Sequence, residues 1–214
     1  MKNKLLLYSG GMDSTTLLYQ KVNEIALCVS FNYGSKHNEI EIEYAKRNCD
    51  KFNIPHIIIN LDFINKYFKS DLLKNGGNIP EGHYEDDNMK STVVPFRNGI
   101  MLSICAGLAE SYNLDYIMIA NHFGDFTIYP DCRKDFIEPM KEAILNGTYN
   151  KIIIDAPYTS ITKKEIALIG KKLNIDYSQS YSCYNGDEIH CGLCGTCVER
   201  KEALFGFDPT KYKN

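Results

Sequence analysis

The run Leu5-Leu6-Leu7-Tyr8-Ser9-Gly10-Gly11-Met12-Asp13-Ser14-Thr15-Thr16-Leu17-Leu18 constrains the fold more than any other stretch of this chain. A short apolar segment empties directly into Ser-Gly-Gly, and a helical pattern begins near residues 13–14. Strands covered on both faces read as continuous apolar runs, so this is the opening of a parallel α/β sheet. Adjacent glycines allow a sharp turn and let backbone N–H groups approach an anion. Ser9, Ser14 and Thr15 add hydroxyl groups, and the helix start adds free N–H groups and its positive dipole end. Tyr8 to Leu18 is therefore the expected nucleotide-phosphate segment. It is not a Walker loop, since the Gly-x4-Gly-Lys-Ser/Thr spacing and its lysine are missing. Asp13 suits Mg²⁺ carried with phosphates better than it suits bare phosphates. The plainer alternative is a glycine turn followed by an aspartate helix cap.

The rest of the chain continues the alternation. Strands are expected at 25–31, 56–61, 115–120 and 152–155, and helices at 14–22, 39–52, 98–112, 133–145 and 163–173. With the first strand this predicts a parallel five-stranded sheet with helices on both faces. Two regions break the rhythm. Residues 70–92 are polar and glycine-bearing, a long loop read as a substrate-side flap or a surface excursion. From about residue 182 the chain becomes cysteine-rich, a tail too short to fold alone without metal. The expected division is a 1–181 α/β domain and a 182–214 metal-binding segment packed on it.

Cys183-x7-Cys191-x2-Cys194-x2-Cys197 gathers half of the eight cysteines. No signal peptide precedes the first strand and no segment reaches about twenty apolar residues, so a cytoplasmic chain is expected. Crowded cysteines in a reducing compartment read as metal ligands. Four thiolates form a closed tetrahedral zinc site of the structural kind, with an iron–sulfur cluster as the rival. His190 is adjacent and is read as a surface neighbour. The net charge of −3, with scattered Lys and Arg, argues against nucleic-acid binding and for small-molecule substrates.

The phosphate run resembles the pyrophosphate loop of the N-type ATP pyrophosphatases. Together with the cysteine tail it resembles the 7-cyano-7-deazaguanine synthase (QueC) family. Asn32-Tyr33-Gly34-Ser35-Lys36-His37, Pro95-Phe96-Arg97-Asn98, Tyr129-Pro130-Asp131-Cys132-Arg133, Ala156-Pro157-Tyr158, Thr162-Lys163 and Tyr181-Ser182-Cys183-Tyr184 carry the likeness along nearly the whole chain. The resemblance implies a Rossmann-like adenine-nucleotide hydrolase fold and a homodimer. It also implies a ligase that uses ATP with Mg²⁺ to adenylate 7-carboxy-7-deazaguanine, admits ammonia, and ends in a nitrile. By residue type, Asp13, Lys36, His37 and Arg97 are the expected catalytic groups. Arg97, Asn98, His122, Asp125, Tyr129, Asp131 and Arg133 are expected at the substrate, Asp125 and Asp131 facing the guanine-like edge. Arg133 has the alternative of neutralising Asp131. Phe96, Gly124, Ile128 and Ser35 depart from the family pattern, and the two bulky ones are expected near the substrate. That keeps open an amide ligase acting on the same acid, a tRNA-modifying relative, and a module that binds ATP without turnover.

Overall fold

The structure is a computed structural model and describes residues 2–83, 86–124 and 128–214. Five strands, β1 (Lys4–Leu7), β2 (Ile25–Asn32), β3 (His56–Asn60), β4 (Tyr116–Met118) and β5 (Ile153–Asp155), form one sheet in the order β3-β2-β1-β4-β5. Every neighbouring pair is parallel. Among the described residues seven α-helices accompany them: α1 (Met12–Lys21), α2 (Asn38–Phe52), α3 (Asp62–Tyr67), α4 (Arg97–Ser111), α5 (Lys134–Gly147), α6 (Lys163–Lys172) and α7 (Gly195–Ala203).

Alternation along the strands decides which helix covers which face. Leu6, Cys28 and Met118 pack with Leu17, Leu18, Ala45, Cys49 and Ile166 of α1, α2 and α6. Leu5, Leu27, Val29, Ile117 and Ile154 pack on the opposite side with Leu102, Cys105, Ile137 and Ile144 of α4 and α5. The expected two-sided α/β sheet is thus the observed one. Its chain order reverses between β1 and β4, and such a switch point opens a crevice at the carboxyl ends of the strands.

Two regions need comment, and the second revises the flap reading. Residues Asp87–Ser111 are long and apolar enough by composition to pass as a membrane span. They comprise a 3₁₀ turn (Asp87–Thr92), an interruption and the 15-residue α4, whose Leu102, Cys105 and Ala109 are fully buried in the core. The described residues of the 70–92 loop line no part of the cleft described below. Leu72, Leu73 and Met89 anchor it in the core, Ser35 pairs with Leu73, and Glu81 pairs with Cys194.

Candidate active site

The crevice holds a cleft of about 210 Å³ whose lining includes Tyr8, Ser9, Gly11, Met12, Asp13 and Ser14 from the phosphate run. Gly10 adopts φ +89°, and a Cβ there would meet the Glu41 carbonyl and stand 2.9 Å from Ala45 N. Glycine is therefore required both by backbone conformation and by the close approach of α2. Ser9 Oγ accepts from Gly11 N (3.1 Å) and lies 3.0 Å from Ser14 Oγ. The N-cap, Gly11, supplies no side-chain cap, and the N–H groups of Met12, Asp13 and Ser14 have no acceptor among the described residues. An uncapped helix start on a cleft is an anion site. Thr15 is buried against Tyr8, its hydroxyl 3.1 Å from the phenol, and Thr16 bonds Met12 O and Tyr177 OH. Leu17 and Leu18 are core residues. The far half of the expected segment therefore holds the loop from behind and does not line the cleft.

Asp13 sits in a charged cluster that local sequence did not reveal. Its Oδ2 lies 3.2 Å from Lys163 Nζ and 3.8 Å from His122 Nε2. Lys163 also pairs at 2.8 Å with Glu199 of α7. Burial pushes the Asp13 carboxyl up, but the Lys163 ammonium, helped by neighbouring His122, outweighs it and holds it below the ordinary range. Asp13 Oδ1 is buried without a hydrogen-bond partner, as a ligand atom reserved for a cation would be. His122 is buried, and its Nδ1 accepts from Gly124 N at 3.1 Å, which leaves Nε2 as the N–H facing Asp13. Lys163 carried one readable signal: a cation in the first turn of a helix opposes the dipole. Here Thr162 and Glu165 form a capping box, so the lysine is not there to stabilise α6.

At the other end Arg97 lines the cleft between the rings of Tyr33 and Tyr129, 5.6 and 5.9 Å from its guanidinium carbon. It donates to Tyr33 OH at 3.1 Å and pairs with no carboxylate among the described residues. Tyr129 OH meets Tyr184 OH at 3.0 Å. His37 is buried, 3.4 Å from Glu41 Oε2 and stacked at 5.3 Å on Tyr184. Burial lowers its pKa to about 3 and raises that of Glu41 to about 8. The pair is therefore uncharged at neutral pH. Glu41 read in the sequence as the polar face of an amphipathic helix; it is the second carboxyl lining the cleft.

Other expected residues serve elsewhere. Lys36 Nζ bonds the carbonyls of Asp71 and Gly77, the latter at 2.6 Å, so it fastens the 70–77 loop away from the cleft. Asp131 accepts from Asn98 N at 2.7 Å, and Asn98 Nδ2 donates to Cys132 Sγ. Asp131 thus caps the start of α4 and does not line the cleft, whereas Asn98 does. Arg133 is exposed outside it. Asp125 lies outside the described residues. Phe96 packs its ring on Phe136 and Ile128 joins the core. Neither residue adds bulk to the cleft.

The Cys183, Cys191, Cys194 and Cys197 sulfurs are buried within 4.8 Å of one another. A tetrahedral zinc with bonds of about 2.3 Å spaces its sulfurs by about 3.8 Å, and Cys191 Sγ lies 3.9 Å from Cys197 Sγ. Backbone N–H groups of Cys191, Leu193 and Cys194 point at sulfur, as thiolate ligands require. The donor set fits a metal ion. His190 is no surface neighbour: it is buried, stacked at 4.6 Å on Tyr181, and accepts from Ser182 N at 3.1 Å. Tyr184, Ser182 and Thr196 bring this tail into the cleft lining.

Sheet order, glycine turn and uncapped helix define an α/β protein whose crevice, at its topological switch point, is faced by the free N–H groups of a helix start. The model of a family described as queuosine biosynthesis protein QueC matches residues 3–208. The 7-cyano-7-deazaguanine synthase of Porphyromonas gingivalis is 60% identical over 99% of this chain and 98% of its own length. That of Desulfotalea psychrophila is 48% identical over 99% of each. This chain belongs to the QueC family. NMN synthetase from Francisella tularensis shares the fold, with a TM-score of 0.50 at 11% identity over 87% of this chain and 68% of that one.

Proposed function

We propose that the chain converts 7-carboxy-7-deazaguanine and ammonia into 7-cyano-7-deazaguanine, consuming ATP and releasing AMP and pyrophosphate. The observation that carries this reading is a cleft with two anion-accepting ends: the bare start of α1 and the guanidinium of Arg97, which meets no carboxylate among the described residues. The first suits the polyphosphate, the second the acid.

A carboxylate is a poor electrophile and an amide a poorer one, so each oxygen must become a leaving group. Attack of the acid oxygen on ATP gives an acyl adenylate and frees pyrophosphate. Ammonia then displaces AMP and gives up a proton, leaving the amide. A second ATP activates the amide oxygen, which departs with AMP as the nitrogen loses two protons. In this scheme the N–H groups of Met12, Asp13 and Ser14, with Ser9 and Ser14 hydroxyls, hold pyrophosphate as charge builds on it. Lys163 turns its ammonium to the same phosphates. Arg97 orients the acid between Tyr33 and Tyr129. The His37–Glu41 pair, being uncharged, leaves the Arg97 charge to the acid. Asp13, through its unpartnered Oδ1, would hold the Mg²⁺ that comes with ATP and neutralises the departing charge. Cys183, Cys191, Cys194 and Cys197 would hold one structural zinc ion. The net charge of −3 supports small-molecule substrates over nucleic acid, and the reading includes a cytoplasmic homodimer.

The test is incubation with the acid, ATP and ammonium followed by mass spectrometry. Nitrile with AMP is expected; an amide alone, or no product, rejects the reading. Asp13→Ala is expected to abolish AMP release.

A further inference from the structure

The tail does more than cover the sheet. α7 begins at its N-cap Cys194 and carries Cys197 in its first turn, so two of the four clustered sulfurs set its position. Two residues beyond Cys197, Glu199 meets Lys163 Nζ at 2.8 Å. The next residue, Arg200, is fully buried and donates to Tyr177 O (2.6 Å), Ser180 Oγ (3.1 Å) and Ser182 Oγ (2.9 Å). These bonds tie α7 to the segment that borders the cleft, and Thr196 Oγ1 adds a bond to Ser182 O at 2.7 Å. Glu199 therefore arrives on a helix fixed from several sides.

Lys163 bridges that helix and Asp13. Its ammonium lies between two carboxylates, 2.8 Å from Glu199 and 3.2 Å from Asp13, with its side chain only 10% exposed. One carboxylate is enough to keep a buried ammonium charged. The second carboxylate is therefore free to change partners. If Glu199 were absent, Lys163 would lean harder on Asp13, and the lysine and a nucleotide-borne cation would compete for that carboxylate.

We infer that Glu199 is a positioning residue that couples the four-cysteine tail to the phosphate loop, holding the Lys163 ammonium beside Asp13 so that it can turn to the phosphates of the nucleotide. This rests on the reading of the cleft as an ATP site. Glu199 touches no reacting atom; it acts through Lys163. The metal-bound tail thereby sets the geometry of the site that binds pyrophosphate.

The experiment compares purified, metal-replete wild type with Glu199→Gln, an isosteric loss of charge. Glu202→Gln is the control, removing a charge from an exposed position on the same helix, where the side chain is 61% exposed. Calorimetry measures ATP affinity at several Mg²⁺ concentrations, with metal content, Tm, kcat and KM for ATP recorded on the same preparations. Glu199→Gln is expected to weaken ATP binding and raise its KM about tenfold, less than the full cost of breaking a buried ion pair because Lys163 keeps Asp13 as a partner. Excess Mg²⁺ should recover part of the loss, and metal content and Tm should match wild type. ATP affinity and KM within twofold of wild type would overturn the inference. So would a loss that appears only together with lost metal or a collapsed Tm, because Glu199 would then be a strut of the tail. Wild type that neither binds nor turns over ATP would instead reject the functional reading itself.

Discussion

Phe96 occupies φ 52°, ψ 28°, the left-handed region, as the N-cap of α4. A side chain there costs about 1–2 kcal/mol relative to glycine. What compensates here is the edge-on contact of its ring with Phe136, centroids 5.5 Å apart, worth about 1 kcal/mol. Phe96→Ala keeps the strain and loses the ring, and should destabilise by about 1 kcal/mol. Phe96→Gly relieves the strain and should be more stable than Phe96→Ala by a similar amount. Urea unfolding of the three proteins measures this. Equal stability of the Ala and Gly variants would mean that the backbone is not strained at this residue. Both variants should keep ATP affinity, because Phe96 is absent from the cleft lining.

At the scale of elements, the join between β1 and α1 is where chain geometry becomes chemistry. Gly10→Ala would press a methyl group into the backbone of α2 at Glu41 and Ala45. Either α2 retreats or the turn opens, and both displace the N–H groups of α1. The variant should lose ATP binding at least tenfold and several kcal/mol of stability; nearly unchanged calorimetric binding would refute the tight contact. This join was readable in the sequence because it is local: an apolar run, two glycines and a helix within fifteen residues. The same holds for the other four strands and the longer helices, whose periodicity is their own. What escaped was set by distant contacts. Lys163, Asp13 and Glu199 meet from α6, α1 and α7, and no spacing announces that. α7 hid inside the cysteine spacing, and α3 is only six residues long. Glu41 looked like an ordinary charged face until the fold turned it toward Gly11. His190 looked exposed because it is polar, yet stacking on Tyr181 and a bond from Ser182 N bury it. The polar composition of 70–92 likewise masked three apolar anchors.

Across the whole molecule, the His37–Glu41 pair joins fold stability to pH. Glu41, with its pKa raised from 4.5 to about 8 by burial, is favoured neutral, so its contribution is full below 4.5 and falls as pH rises to 8. His37, lowered from 6.5 to about 3 by burial, contributes fully above 6.5 and loses stability as pH falls toward 3. Between 4.5 and 6.5 the two slopes cancel; from 6.5 to 8 only the Glu41 loss remains. Urea midpoints should therefore decline from pH 6.5 to 8 in wild type and stay level in Glu41→Gln, and a parallel decline in both would remove Glu41 as the cause. The tail extends the same logic of shared parts. Its sulfurs pack in the same cluster as the sheet core, and Tyr184, Ser182 and Thr196 line the cleft. A metal held by the four buried sulfurs would be their common partner, and binding energy of this kind is folding energy. A loss of about 4 kcal/mol in a chain of this size lowers Tm by roughly 10 °C. Stripping the purified protein with a chelator should produce that fall together with loss of ATP affinity, and added Zn²⁺ should restore both. Elemental analysis before stripping should find one zinc and no iron. If the metal leaves stoichiometrically while Tm and ATP affinity stay where they were, the four cysteines do not hold up this end of the cleft.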